Sequence, residues 1–107
     1  MLIGNSGDVL ECVPARNIAD RPTVRFLIDP HDHVRALRSA RARGLDVVGF
    51  YHSHPRSPAV PSETDLAEAT YADQLLLIVS LQHTAPDLRL YWFRDGNFLP
   101  VPFVTVA

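Results

Sequence analysis

The sequence has 107 residues, 47% hydrophobic and 21% charged, which fits one globular domain with a single packed core. A formal net charge of −2 gives no reason to expect nucleic acid or an acidic membrane as a partner. The lone cysteine, Cys12, excludes an internal disulfide and is expected to be a small buried hydrophobe. The longest apolar run, Leu75 to Leu81, is too short to cross a bilayer, and no signal peptide is recognisable. We therefore expect a cytoplasmic protein.

Two short strands are predicted before the first helix. Turn residues from Gly4 to Gly7 separate a stub, Met1 to Ile3, from a strand that starts at Asp8 and ends at Pro14. The segment Thr23 to Asp29 alternates well enough to be another strand.

The first helix is predicted over His31 to Arg43. Asp29 supplies an N-cap, Pro30 suits the first helical position, and Gly44 is well placed to close the helix. An apolar stripe at three-residue spacing is predicted to consist of Val34, Leu37 and Ala40.

The second half predicts a strand, a loop, a helix and three further strands. In order they are Leu45 to His54, the irregular loop Pro55 to Pro61, a helix from Ser62 to about Tyr71, the apolar strand Gln74 to Leu81, and a hairpin over Leu88 to Phe103. The hairpin is predicted to turn at Asp95-Gly96. We expect this apolar strand to be covered on both faces and to lie next to the strand that carries the histidines. The predicted fold class is α/β, a mixed β-sheet flanked by helices.

Two histidines sit one residue apart at the end of a predicted strand. Alternate strand residues share a face, so His52 and His54 project to one side and Ser53 to the other. Asp65 would lie in the first turn of the following helix, close to the strand end if the loop folds back. Two imidazoles and a carboxylate are acceptable zinc ligands, and three protein ligands plus a water are typical of a catalytic site.

Ser62 allows two interpretations. Ser-x-x-Asp is close to a capping box, in which the serine hydroxyl accepts a backbone N–H of the first helical turn. Taken alone, that structural role is favoured, and the histidines alone would also be ambiguous. The combined spacing of His52, His54, Ser62 and Asp65 makes coincidence an inadequate explanation.

The arrangement H-x-H-x7-S-x2-D resembles the motif of the JAMM (MPN+) zinc metalloproteases, and it matches in every spacing. Apolar strands before and after the motif extend the resemblance over nearly the whole chain. The similarity is greatest to the small single-domain prokaryotic members, which remove ubiquitin-like or sulfur-carrier proteins from their conjugates. It implies zinc held by His52, His54 and Asp65, with Ser62 helping to hold the water and the oxyanion. The implied partner is the C-terminal tail of a ubiquitin-like or sulfur-carrier protein.

The same resemblance implies a glutamate that acts as general base, upstream of a short apolar strand ending in glycine. Leu2-Ile3-Gly4 is similar to the end of that segment. We therefore expect 1–107 to be a single JAMM/MPN-like domain that is N-terminally truncated relative to the family. Glu11 is expected to be an edge or solvent-facing strand residue rather than a substitute base. Glu63 and Glu68 look like ordinary helix residues.

The missing glutamate leaves a rival hypothesis, a catalytically impaired zinc-binding MPN-like interaction module. A zinc-dependent deaminase is disfavoured because the H-x-E and P-C-x-x-C signatures are absent. The pair His31 and His33 repeats the spacing of the motif, but its predicted helical position breaks the shared face. The substrate and the oligomeric state are not determined by the sequence.

Overall fold

The computed structural model describes residues 1–5, 7–19, 28–68 and 73–105. Its elements in chain order are β1 (Leu2–Asn5), β2 (Asp8–Cys12), α1 (Pro30–Ala42), β3 (Asp46–His54), α2 (Glu63–Glu68), β4 (Gln74–Ser80), β5 (Asp87–Arg94) and β6 (Asn97–Val101). The strands form a six-stranded sheet in the order β2-β1-β3-β4-β5-β6. The predicted α/β class is confirmed. Among the described residues, no helix combines the length and the apolar character needed to cross a bilayer.

The chain divides into two compact units, Met1–Phe50 and Tyr51–Ala107. In the first unit β1 pairs antiparallel with both β2 and β3, so the interpretation of Met1 to Ile3 as a stub is wrong. These three residues are at most 3% exposed and belong to the core. Leu2, Ile3 and Gly4 are buried one after another, so β1 lacks the alternation of buried and exposed residues by which a strand is recognised in sequence.

Gly4 lies where two backbones approach each other closely. A Cβ atom at this position would be only 2.0 Å from the carbonyl oxygen of Asp8 on β2, next to a register shift between Ile3 and Gly4. Backbone cannot move aside as a flexible side chain can. Gly4→Ala is therefore expected to lower the free energy of unfolding by about 1–3 kcal/mol or more, the usual cost of overpacking.

Denaturant unfolding of Gly4→Ala measures this cost directly, and Asn5→Ala is the matched control. Asn5 is the next residue of β1 and is exposed, so its substitution should change stability by no more than about 0.5 kcal/mol. Equal stabilities for Gly4→Ala and the wild type would contradict the close approach of β1 and β2.

Helix α1 begins as predicted. The Asp29 side chain accepts the backbone N–H of His31 at 2.9 Å, and Pro30 occupies the first turn. The predicted apolar stripe is partly wrong, because Val34 is 48% exposed while Ala36 and Ala40 are the buried residues. Leu37 and Ala40 pack against the core as predicted, and the prediction missed the small side chain of Ala36.

Other predictions for the first unit have mixed outcomes. The strand starting at Asp8 is confirmed but ends at Cys12, which is exposed; the expectation of a buried thiol is wrong because β2 is the first strand in the sheet order. Most of the strand predicted over Thr23 to Asp29 lies outside the described residues. Ile28 alone makes an isolated bridge to Asn17.

In the second unit, β4 is adjacent to β3 in the strand order and pairs antiparallel with β5. The sequence predicts that both faces of β4 are covered. One face is buried, with Leu76, Ile78 and Ser80, and the residues on the opposite face are half-buried. The β5–β6 hairpin turns at Asp95-Gly96, where both residues have positive φ. The prediction of this turn is confirmed. The core of this unit combines Leu76 and Ile78 of β4, Tyr91 of β5 and Ala59 of the loop before α2.

Candidate metal centre

The two motif histidines lie at the C-terminal end of β3. His52 and His54 are nearly buried, with side chains 13% and 11% exposed, whereas Ser53 between them is exposed. The strand alternation therefore brings both imidazoles to one face, as predicted. The His54 carbonyl accepts the N–H of Leu81 at 2.9 Å, which ties the end of β3 to the residue after β4.

A capping box at the start of α2 orients the third side chain of the motif. The Ser62 N–H donates to Asp65 Oδ2 at 2.8 Å, and the Asp65 N–H donates to Ser62 Oγ at 3.0 Å. The prediction that Ser62 caps this helix is thus correct. A hydroxyl that accepts one hydrogen bond still has a proton to donate, so capping and a catalytic role are compatible. The predicted end of this helix near Tyr71 lies outside the described residues.

The three polar groups meet in one cluster. His52 Nε2 is 3.1 Å from His54 Nε2, and each is 3.2 Å from one oxygen of Asp65. In a tetrahedral zinc site with bonds of about 2.0–2.1 Å, neighbouring ligand atoms are about 3.3 Å apart. The observed spacing fits such an ion, and this is the one group of three or more His, Cys, Asp or Glu donors found among the described residues.

The hydrogen bond on the other ring nitrogen of His54 fixes its tautomer. Nδ1 lies 2.9 Å from the carbonyl oxygen of Pro58, which can only accept, so Nδ1 carries the hydrogen. In the neutral ring Nε2 then presents a lone pair towards His52 and Asp65. A lone pair directed at the other two donor groups of the cluster is the arrangement that a metal ligand requires.

Asp65 supplies the negative charge of the cluster. Burial disfavours its charged form, but the hydrogen bond from His52, the N–H of Ser62 and the two imidazoles outweigh it and lower the pKa of Asp65 to about 2. The side chain is only 12% exposed. The carboxylate is therefore ionised at neutral pH and can offset part of the charge of a divalent ion.

Glu11 forms an ion pair with Arg43. Both of its carboxylate oxygens accept hydrogen bonds from the Arg43 guanidinium, at 3.1 and 2.8 Å, and this contact lowers the pKa of Glu11. It lies half-exposed in β2, as expected of a structural strand glutamate. Glu63 is exposed, and the side chain of Glu68 lies outside the described residues.

The pair His31 and His33 lies on α1 and forms no donor group of the kind found at the motif. His33 instead packs edge-on against the ring of Phe50, with centroids 5.6 Å apart.

The loop Pro55 to Pro61, called the motif loop below, is anchored by Ser80 and Tyr91, which donate hydrogen bonds to backbone carbonyls within it. The sequence did not indicate these anchors. These residues lie too far along the chain for local spacing to reveal them.

The fold and the site define a class of protein, an α/β domain with a His-His-Asp donor cluster where a sheet strand meets a short helix. The comparison with protein families is more specific: residues 1–94 match Prok-JAB, the prokaryotic homologues of the JAB domain. The chain belongs to this family. The resemblance to the JAMM/MPN+ proteins is confirmed.

Relatives with assigned names are consistent with this membership. A desampylase of Haloferax volcanii is 43% identical over 77 residues, which cover 72% of this chain and 52% of the relative. The "Probable TtuB-protein conjugate cleaving protease" of Thermus thermophilus is 36% identical over 64 residues, covering 60% and 43%. The chain therefore matches about half the length of these relatives.

Two solution structures share the fold. A protein of Desulfitobacterium hafniense superposes with a TM-score of 0.83 at 28% identity, and one of Salinibacter ruber with a TM-score of 0.70 at 37% identity. Each comparison covers 96% of this chain and 73% of the other.

Proposed function

We propose that this chain is a zinc-dependent isopeptidase or peptidase that removes a ubiquitin-like or sulfur-carrier protein from its conjugates. The observation that carries the proposal is the cluster of His52, His54 and Asp65, whose donor atoms lie 3.1–3.2 Å apart on the motif of the family. The names of the relatives, a desampylase and a TtuB-conjugate cleaving protease, support this type of substrate.

Each residue of the motif has a role in this proposal. His52, His54 and Asp65 hold the ion, and Asp65 contributes the charge that balances it. A zinc ion bound there would supply a more acidic water and a polarised scissile carbonyl. Ser62 keeps its hydroxyl oxygen on the Asp65 N–H and directs its proton to the oxyanion that develops at the cleaved bond. The C-terminal tail of the ubiquitin-like protein would lie across the cluster.

Cleavage of an isopeptide-linked sulfur-carrier conjugate tests the proposal. Protein loaded with zinc should release the carrier with an intact C-terminus, lose this activity in a chelator and regain it when zinc is added back. Mass spectrometry of the products identifies the bond that is cut. Cleavage that is indifferent to the chelator would contradict a zinc mechanism.

A second candidate, a zinc-binding interaction module without turnover, is favoured by one observation. The only carboxylate within the described donor cluster is Asp65, itself a proposed ligand, and Glu11 is engaged with Arg43. Such a module would bind zinc and the ubiquitin-like protein, and leave its conjugate intact. Titration of the carrier protein into zinc-loaded protein, beside the cleavage assay, separates the two candidates.

Glu11→Gln tests whether Glu11 is the base in a chain that cleaves the conjugate. Because its carboxylate is committed to Arg43, the variant should retain the rate within about twofold, whereas loss of a general base costs about 10²–10⁴-fold. Arg43→Gln breaks the same pair from the other side and is the matched control. A large loss with Glu11→Gln and none with Arg43→Gln would assign the base to Glu11.

A further inference from the structure

The loop between β3 and α2 is fastened to the sheet by three successive backbone carbonyls. Each accepts a hydrogen bond from a side chain on a different strand. The pairs are Ser80 Oγ with Ser57 O at 2.6 Å, His54 Nδ1 with Pro58 O at 2.9 Å, and Tyr91 Oη with Ala59 O at 2.7 Å. The middle member of this set is the contact that fixes the tautomer of a proposed zinc ligand.

The loop needs such anchors because of its composition. Its prolines, at positions 55, 58 and 61, have no N–H to donate and prevent a regular ladder. Its carbonyls must find donors elsewhere. Most of the loop is exposed, but Ala59 is only 1% exposed and packs in the core with Leu76 and Ile78.

The two outer donors are buried. Ser80 on β4 is 3% exposed and Tyr91 on β5 is 9% exposed, so neither hydroxyl can readily exchange its partner for water. Leaving a buried donor without a partner is costly, and this enforces the observed geometry. The carbonyls on either side of Pro58 are therefore fixed by the interior of the second unit.

The Pro58 carbonyl has both of its acceptor positions filled. It accepts the Val60 N–H at 2.8 Å as well as His54 Nδ1. A rotation of the loop by one peptide would remove the acceptor from His54. The ring could then place its hydrogen on Nε2, where it would block the lone pair that faces His52 and Asp65.

We propose that Tyr91 and Ser80 are positioning residues of the metal centre: by holding the carbonyls on either side of Pro58, they keep its oxygen on His54 Nδ1 and leave His54 Nε2 ready to bind the ion. The part that concerns metal rests on the proposed function. The part that concerns the His54 tautomer does not, because it is a property of the chain without metal.

Tyr91→Phe and Ser80→Ala, each of which removes little more than one hydroxyl, test this inference in two measurements. Nitrogen-15 NMR of the metal-free protein in mildly alkaline solution should show His54 protonated on Nδ1 in the wild type. In the variants it should show a mixture with the Nε2 tautomer. Competition with a chromophoric chelator should show zinc affinity about 10–100-fold weaker in each variant, the usual cost of losing an outer-shell contact.

Ser39→Ala, an exposed serine of α1, is the control and should change neither readout. Thermal unfolding reports whether each variant is folded at the assay temperature; if Tyr91→Phe is not, Ser80→Ala decides alone. A wild type that binds no zinc would refute the proposed function, while the tautomer measurement would still decide the role of the two hydroxyls. Folded variants that keep the Nδ1 tautomer of the wild type would overturn the inference.

Discussion

Asp65→Asn is expected to remove the stabilisation of this protein by zinc. At a free zinc concentration one hundred times the dissociation constant, binding to the folded state alone stabilises it by about 2.7 kcal/mol. A domain of this size gains roughly 4–8 °C in Tm for each kcal/mol, so the wild type should melt about 10–20 °C higher with zinc than without. Differential scanning fluorimetry with and without zinc measures this difference.

Asparagine is chosen because it separates the two tasks of Asp65. Its carbonyl oxygen can still accept the Ser62 N–H and maintain the capping box, but it lacks the charge and one acceptor oxygen that face the histidines. We expect the loss in zinc affinity to exceed the about 10–100-fold seen when an outer-shell partner is removed. His31→Asn, an exposed histidine on α1, should melt and bind like the wild type. An unchanged zinc shift in Asp65→Asn would exclude this carboxylate as a ligand.

The candidate site could be predicted from sequence because its geometry is local. A two-residue strand period puts His52 and His54 on one face, and a Ser-x-x-Asp box places Asp65 in the first turn of a helix. The structure shows both relations. The β5–β6 turn at Asp95-Gly96 was predictable for the same reason, since its chemistry lies in two adjacent residues.

What the sequence did not predict depends on partners that are distant along the chain. β1 became a core strand through pairing with β2 and β3, and Cys12 became exposed through the position of β2 in the sheet. The anchors of the motif loop, Ser80 and Tyr91, come from strands that follow it by more than twenty residues. No periodicity or spacing rule reports such contacts.

The proposed ligands rest on two different supports, and one of these supports also carries Ser62, which matters for interpreting variants. The histidines are fixed by β3 and the loop carbonyl, whereas Ser62 and Asp65 depend on the first turn of α2. In the proposed mechanism, a substitution at Ser62 can therefore reduce cleavage in two ways, by loosening the turn that carries Asp65 or by removing the donor to the oxyanion. Only a variant that keeps the turn can distinguish these effects.

Ser62→Gly is such a variant, and it is expected to reduce turnover of an isopeptide conjugate by about 10²–10³-fold, the usual effect of losing an oxyanion donor. Glycine is tolerated at an N-cap and costs only a few tenths of a kcal/mol there, against about 1 kcal/mol for alanine. Zinc affinity and Tm should accordingly stay close to those of the wild type. The fall should appear in kcat as well as in kcat/KM, because the contact forms only as charge develops.

Ser62→Thr completes the comparison, because threonine retains both the cap and a hydroxyl proton and should recover most of the activity. A loss of zinc binding in Ser62→Gly that parallels the loss of turnover would show that Ser62 acts only through the capping box and Asp65. Full activity in Ser62→Gly would remove Ser62 from the mechanism altogether. The expected pattern, zinc retained and turnover lost with glycine but restored with threonine, assigns the oxyanion contact to the hydroxyl.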